Sequence, residues 1–262
     1  MKRATIATLA AAVLGAGMAY AAEEAADGAA ASHTIEIPSE HWSWDGIFGG
    51  FDQAQLQRGY LVYERVCSAC HSMNLLAFRH LHGLGFDESQ IESIAAARRV
   101  SDIDLETGDT ITRAARPADH FPAPFANEIQ ARSVNNGALP PDLSVIVKAR
   151  VGEADYIHAL LTGYEDAPAG IDVPAGKYYN AYFPGHVISM APPLSDGLVD
   201  YIDGTPNTRD QMARDVSAFL AWAAEPSLVE RKELGVKVVL FLIVLAGVAY
   251  AVKRKVWSDV EH

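Results

Sequence analysis

The chain has 262 residues, half of them hydrophobic, with 33 acidic against 21 basic side chains and a formal net charge of −12. That acidity argues against nucleic acid as a partner and against electrostatic docking on anionic lipid. Two cysteines in the whole chain are too few for a disulfide scaffold or a four-thiolate zinc site.

The first residues read as a secretory signal. Lys2 and Arg3 give a positive start, Thr5 to Ala16 a short apolar stretch, and Ala19-Tyr20-Ala21 a small-x-small cleavage pattern. The apolar run is short and ends in a cleavage site, which disfavours a permanent N-terminal anchor. Residues 1–21 are therefore set aside and the mature chain is expected to start at Ala22. Residues 22–230 carry 30 acidic and 13 basic side chains, a net −17. That length suits one sizeable domain with insertions, or two small ones. An acidic exported surface suits a basic protein partner, although solubility alone accounts for the sign equally well.

Trp42, Trp44, Ile47 and Phe48 form an aromatic-rich lead-in that ends at Gly49-Gly50. Asp52 to Val66 then reads as a helix with Asp52 as its N-cap, and Leu56, Gly59, Tyr60 and Tyr63 mark one stripe. A glycine on that stripe predicts a second helix crossing closely at Gly59.

Cys67-Ser68-Ala69-Cys70-His71 follows directly. One helical turn and the next residue present two thiols and an imidazole to one object. A haem meets that demand: the thiols bond to its two vinyl groups and the imidazole binds the iron. A zinc site would want further Cys or His ligands. A disulfide or a redox-active Cys-x-x-Cys pair would leave the histidine without a role.

Between residues 107 and 193 the chain is punctuated by Gly and Pro. Within it, Asp102 to Thr112 is compatible with a small hairpin around Thr107-Gly108. Leu143 to Val151 and Glu153 to Leu161 carry short helical patterns. No alternation of strands and helices suggests a parallel sheet.

A histidine on one face of an iron leaves a second face to fill. Met1 and Met18 leave with the signal, Met73 is too close to His71 to reach around a ring, and Met212 falls within a helix where core packing is the ordinary role. Met190 lies in a Gly- and Pro-framed loop, Tyr182 to Pro193, that suits a rigidly held ligand. His186 in the same loop is the competing ligand. Met190 is favoured, and Met/His ligation gives a high potential. With both faces filled, the chemistry is outer-sphere transfer of single electrons.

Thr208 to Ala224 reads as the partner helix for the Gly59 crossing. Val216, Phe219, Leu220 and Trp222 form its packing face, while Asp210, Arg214 and Asp215 are expected to face water. Leu234 to Val252 is apolar apart from Lys237 and ends in Lys253-Arg254-Lys255 and Trp257. Nineteen helical residues span about 28 Å, near the thickness of a bilayer core. The basic cluster and the tryptophan mark an interface, so this segment reads as a transmembrane anchor rather than a buried helix. The signal places the body outside and the last ten residues in the cytoplasm.

Taken together these runs resemble the cytochrome c1 family, the membrane-anchored haem subunits of the ubiquinol–cytochrome c reductase (cytochrome bc1) complex, in its bacterial form. The likeness extends from about Trp42 to Trp257. It rests on Arg58-Gly59-Tyr60 before the haem motif, Asn135-Asn136-Gly137-Ala138-Leu139-Pro140-Pro141-Asp142-Leu143-Ser144, and Leu160-Leu161-Thr162-Gly163-Tyr164. It continues in Tyr182-Phe183-Pro184-Gly185, Met190-Ala191-Pro192-Pro193, Asp203-Gly204-Thr205-Pro206 and Trp222-Ala223-Ala224-Glu225-Pro226.

The resemblance implies a mainly α cytochrome c-type haem domain with long insertions, plus one C-terminal transmembrane helix. It implies one covalently bound haem c, with Cys67 and Cys70 at the thioethers, His71 and Met190 on the iron, and Arg150, Tyr156 and Pro141 in the haem pocket beside Pro140. The organisation it implies is a signal peptide (1–21), a periplasmic domain (22–230), an anchor helix (231–252) and a cytoplasmic tail (253–262), held in a bacterial inner membrane. Partners would be cytochrome b, the Rieske iron–sulfur protein as electron donor, a soluble or tethered cytochrome c as acceptor, and membrane lipid, with no nucleic acid. Quinol oxidation would lie in partner subunits. The competing readings are an anchored cytochrome c of another complex, a haem enzyme such as a peroxidase, and an anchored Cys-x-x-Cys module without haem.

Overall fold

The computed structural model describes residues 35–259, so the signal peptide and the last three residues of the tail lie outside the described residues. Ile35 and Glu36 belong to one unit, and Ile37 onward forms the other; every element below lies in the second.

Asp52 has extended backbone and its carboxylate accepts from the Gln55 amide at 3.0 Å, which starts α1 at Gln53 and lets it run to Arg65. A short 3₁₀ turn follows at Cys67–Ala69, another at Phe78–Leu84, then α2 over Glu88–Ala96 behind an Asp87 capping box. Strands β1, Arg99–Ile103, and β2, Thr110–Ala114, pair antiparallel with Arg99 opposite Ala114. Helices α3, Glu128–Val134, and α4, Glu153–Thr162, come next. A two-residue pair, β3 at Tyr178–Tyr179 and β4 at Val187–Ile188, closes a hairpin. The chain ends in α5, Arg209–Ala224, capped by the Thr208 side chain, and α6, Leu228–Val256. The fold is mainly helical, as its sequence predicts.

The core is organised by the crossing of α1 and α5. A Cβ on Gly59 would lie 2.0 Å from the Asp215 carbonyl oxygen and 2.7 Å from Phe219 Cβ, so only glycine permits this approach. Leu56, Val62, Tyr63, Val216 and Phe219 fill the seam and are fully or almost fully buried. Helix α4 also packs against α5. Residues 37–51 run across these two helices as a strap. The Trp42 indole donates to Asp155 at 2.6 Å, the Arg214 guanidinium lies 5.0 Å above the Trp42 ring, and Arg214 also pairs with Glu40.

Three expectations fail, the first at Arg214, which is half-buried over the Trp42 ring and paired with Glu40 rather than solvent-facing. Asp215 is fully buried rather than solvent-facing. Arg58 on α1 reaches it with Nε at 2.9 Å and also binds Asp203 at 2.7 Å, while Gln211 donates to Asp215 at 2.9 Å. A buried charge persists here because each of its oxygens is bonded. Leu143 to Val151 forms consecutive turns instead of a helix. Its apolar residues Leu143, Ile146 and Val147 still face the core, which is the periodicity that suggested a helix.

Helix α6 starts three residues before the expected anchor boundary and runs four residues into the expected tail. It is the helix among the described residues that is long and apolar enough to cross a membrane, with a mean hydropathy of 2.4 over its most apolar stretch. None of its residues is buried.

Candidate haem site

The motif turn is shaped by the end of α1. The amides of Cys70 and His71 both donate to the Cys67 carbonyl, at 3.1 and 2.9 Å. The Ser68 hydroxyl donates to the Glu64 carbonyl at 2.7 Å, which ties the turn back to the helix. No disulfide joins the two cysteines. Cys67 is half-buried and packs against the core, and Cys70 is exposed. Burial, with a further contribution from Cys70, pushes the Cys67 thiol up to about 12.

The His71 ring is fixed by one bond, Nδ1 to the Pro141 carbonyl at 2.8 Å. A carbonyl can only accept, so Nδ1 carries the proton and Nε2 offers its lone pair. Burial lowers the imidazole pKa against the opposing pull of Pro141 and Asp142, favouring the neutral ring.

The segment bearing Pro141 is laced to the motif. The Asp142 carboxylate accepts from the Ser72 hydroxyl and the Asn74 amide, each at 2.8 Å, and from the Ser144 amide at 2.9 Å. The Ser144 hydroxyl accepts from the Leu75 amide at 3.0 Å, and the Leu143 amide donates to the Ser72 carbonyl at 2.9 Å. Desolvation opposes the charge on Asp142, but these bonds outweigh it and hold the carboxyl below its ordinary value.

Arg150 and Tyr156 are brought together. Arg150 is exposed, and Tyr156 on α4 is buried. Burial raises the Tyr156 phenol pKa, and the nearby Arg150 guanidinium works against that rise.

Met190 is half-buried against the core, and its carbonyl accepts from the Tyr164 hydroxyl at 3.0 Å. Asn180, fully buried, supports the loop that leads to it. Asn180 Nδ2 donates to the Leu160 carbonyl at 2.8 Å, and Oδ1 accepts from the amides of Tyr182 and Phe183 at 3.0 and 3.1 Å. His186 is engaged inside the same hairpin. Its ring stacks on Tyr179 at 5.6 Å, and Nδ1 lies 3.3 Å from the Asn180 carbonyl.

The structure thus joins Cys67, Cys70, His71 and Pro141 directly, joins Arg150 to Tyr156, and holds Met190 through Tyr164. None of these lines the groove of about 360 Å³ bounded by Tyr63, Ser68, Arg98 and Phe121. Sequence reasoning missed Asp142, Tyr164 and Asn180. Each lies within or beside a run that carries the family resemblance, and that adjacency was the available signal.

The donor set suits a c-type haem. Two cysteines not joined to each other share a turn with an imidazole whose Nδ1 is already oriented by a backbone carbonyl, the usual support of a metal-bound histidine. Among the described residues, no group of three or more His, Cys, Asp or Glu side chains could hold a metal ion.

Residues 42–260 match the model of the Cytochrome C1 family. The chain belongs to that family. It is 48% identical over 267 residues to cytochrome c1 of Rhodospirillum rubrum, covering 96% of this chain and 97% of that one. It is 45% identical to "Cytochrome c1 1, heme protein, mitochondrial" of Arabidopsis thaliana, over 94% of this chain and 81% of the relative. A Bradyrhizobium diazoefficiens protein named "Cytochrome b/c1" is 45% identical over 85% of this chain and 36% of its own length. Family members carry one covalently bound haem c and act as electron-transfer subunits of the cytochrome bc1 complex rather than as catalysts alone; this chain is of that kind.

Proposed function

We propose that this chain passes single electrons from the Rieske iron–sulfur protein to a soluble or membrane-tethered cytochrome c, beside cytochrome b, in a bacterial inner membrane. The observation that carries the site assignment is the bond from Nδ1 of His71, one residue after the Cys67–Cys70 turn, to the Pro141 carbonyl. In this reading Cys67 and Cys70 form the thioethers and His71 Nε2 binds the iron. Bound there, haem c supplies reversible one-electron exchange. Pro141 fixes the imidazole plane, so electron transfer costs little reorganisation at that ligand. Asp142 keeps residues 72–75 and 141–144 in register around it.

Met190 would be the second protein ligand to the haem iron. Tyr164 and Asn180 hold its backbone, while the hairpin already uses the His186 ring. The Arg150 guanidinium and Tyr156 hydroxyl offer donors for a haem propionate. Residues 22–230 form the periplasmic domain, 231–252 the anchor and 253–262 the cytoplasmic tail. The apolar character of α6 and the basic cluster Lys253-Arg254-Lys255 support the anchor. The relative whose printed name joins b and c1 supports cytochrome b as a neighbour.

The test begins with the chain matured in a host that attaches haem c. After denaturation and acid-acetone extraction, a pyridine haemochrome spectrum should show the chromophore still on the polypeptide, and a colourless precipitate rejects the thioether assignment. In the folded protein, Met190→Leu should lower the reduction potential and admit carbon monoxide to the reduced iron. An unchanged potential and spectrum would move the sixth ligand elsewhere, with His186 the next residue to replace.

A further inference from the structure

The loop between Ser43 and Gly50 is closed and rigid, yet it holds two large apolar side chains outward. The Gly50 amide donates to the Ser43 carbonyl at 3.1 Å, the Asp45 amide to the Trp42 carbonyl at 3.1 Å, and the Trp42 amide to the Asp45 carboxylate at 2.8 Å. Gly46 has φ +67°, and a Cβ on Gly49 would lie 2.1 Å from the Asp45 carbonyl oxygen, so the tight turn depends on both glycines. At its tip Ile47 is 66% and Phe48 82% exposed.

The loop packs on the first turns of α6. Trp44 and Phe51 line a crevice with Leu228, and a Cβ on Gly50 would lie 3.8 Å from the Val229 side chain. Lys232 Nζ donates to the Gly46 carbonyl at 2.7 Å and also to that of Trp44. These contacts step along α6 towards its apolar run. Lys232 is two residues before Leu234, where that run begins, an axial distance of about 3 Å. The headgroup layer on each side of a bilayer is roughly 5–8 Å thick. The loop therefore stands at headgroup depth.

We infer that Ile47 and Phe48 form a second membrane contact, an apolar tip seated in the lipid interface beside the anchor. The inference rests on reading α6 as the anchor. It assigns a role to the aromatic-rich lead-in that haem binding leaves without one. The recognised chemistry is apolar lipid at the headgroup boundary, not anionic charge, in keeping with the acidic body. Two attachments, helix and tip, would restrict tilt of the domain about Glu225-Pro226-Ser227, where α5 passes into α6.

The test uses the full-length, haem-loaded chain in phosphatidylcholine nanodiscs with a nitroxide on Phe48→Cys. With Cys67 and Cys70 in thioethers, the added thiol is the reactive one, and the unsubstituted chain should take up no label. Val238→Cys within the anchor and Leu105→Cys, where Leu105 is 96% exposed, serve as references. Collisions with oxygen and with a water-soluble nickel chelate are measured at each site. The label at 48 should lose nickel collisions and gain oxygen collisions relative to 105, shifting towards 238. A label at 48 that matches 105 while 238 is lipid-embedded overturns the loop contact and leaves the anchor standing. Free nickel access at 238 overturns the anchor and the loop contact together. A label at 48 shielded from both reagents indicates a protein surface over the tip and also overturns the lipid contact. Ile47→Cys repeats the measurement from the neighbouring side chain, should Phe48→Cys fail to fold.

Discussion

At the crossing of α1 and α5, backbone and apolar side chains meet with no spare volume, whereas residues 178–190 keep their shape through side-chain bonds to backbone. The first region has Gly59 against the Asp215 carbonyl and Phe219. The second has only two strand residues on each side of its hairpin, and relies on Asn180, Tyr164 and the Ala181 amide bonded to the Gly163 carbonyl at 2.9 Å. Packing of the first kind fixes where the Cys67–His71 turn emerges, since that turn continues α1. Bonding of the second kind sets the Met190 backbone. The two halves of the candidate site should therefore fail in different ways: the crossing with global unfolding, the methionine loop with local loosening.

The largest break is Gly59→Val. Its Cβ would need the volume of the Asp215 carbonyl, so the helices would have to separate. A cost above about 3 kcal/mol follows from overpacking at a site with no flexible neighbour, enough to deplete the folded form of a marginally stable domain. The yield of haem-loaded chain and the thermal midpoint report it. A midpoint within a few degrees of the parent would show that α1 and α5 do not need this approach.

Next comes Arg58→Met, which leaves the Asp215 carboxylate buried without a cationic partner, beside the Gln211 amide and the Tyr201 hydroxyl. Losing one partner of a buried pair costs about 3 kcal/mol or more, while replacing both by apolar residues is often close to neutral. Arg58→Met combined with Asp215→Leu should thus recover most of the loss in a denaturant titration. If the double variant is no better than the single one, the pair contributes more than mutual compensation.

How far these features are legible in the sequence depends on their physical range. Asp52 as a cap, the α1 stripe and Gly59 as a contact point are local signals, and the structure agrees with each. The hairpin around Thr107-Gly108 was equally visible as turn chemistry. The burial of Asp215 was not. On α5 a charged residue reads as solvent-facing, and only Arg58, 157 residues earlier, reverses that. The turns at Leu143 to Val151 mimic helical spacing because three apolar residues point inward without a helix. The attachment motif is legible because its chemistry demands adjacency. The bonds from Tyr164 to Met190 and from Asn180 Nδ2 to Leu160 are not, because they join backbone groups 26 and 20 residues away.

A milder change sharpens the contrast at the methionine loop. Tyr164→Phe removes the hydroxyl bonded to the Met190 carbonyl and keeps the ring. The loss should be about 1 kcal/mol in global stability, with a larger effect on how readily an added ligand such as imidazole displaces the sixth ligand. Binding of imidazole to the oxidised protein measures this directly. Equal affinities in parent and variant would show that Tyr164 contributes nothing to holding the loop.

The smallest effect belongs to a region outside both halves, and it calibrates the others. Arg113 on β2 bonds Asp119 through NH1 and NH2, the latter at 2.9 Å, and bonds Asp102 on β1 through Nε. The hydrogen bond from Arg113 is the main cause that lowers the Asp119 carboxyl from 3.8 to about 2. A carboxyl depressed on folding contributes stability that is complete above its ordinary value and is lost as pH falls through the folded value. The contribution should therefore be present above about pH 4 and vanish towards about pH 2. Asp119→Asn should remove that branch of the acid titration and change little near neutrality, since a partly exposed pair is screened by solvent. Denaturant midpoints of parent and variant between pH 5 and pH 2 make the comparison. Curves that stay parallel across this window would mean that the hairpin tie carries no proton-linked stability.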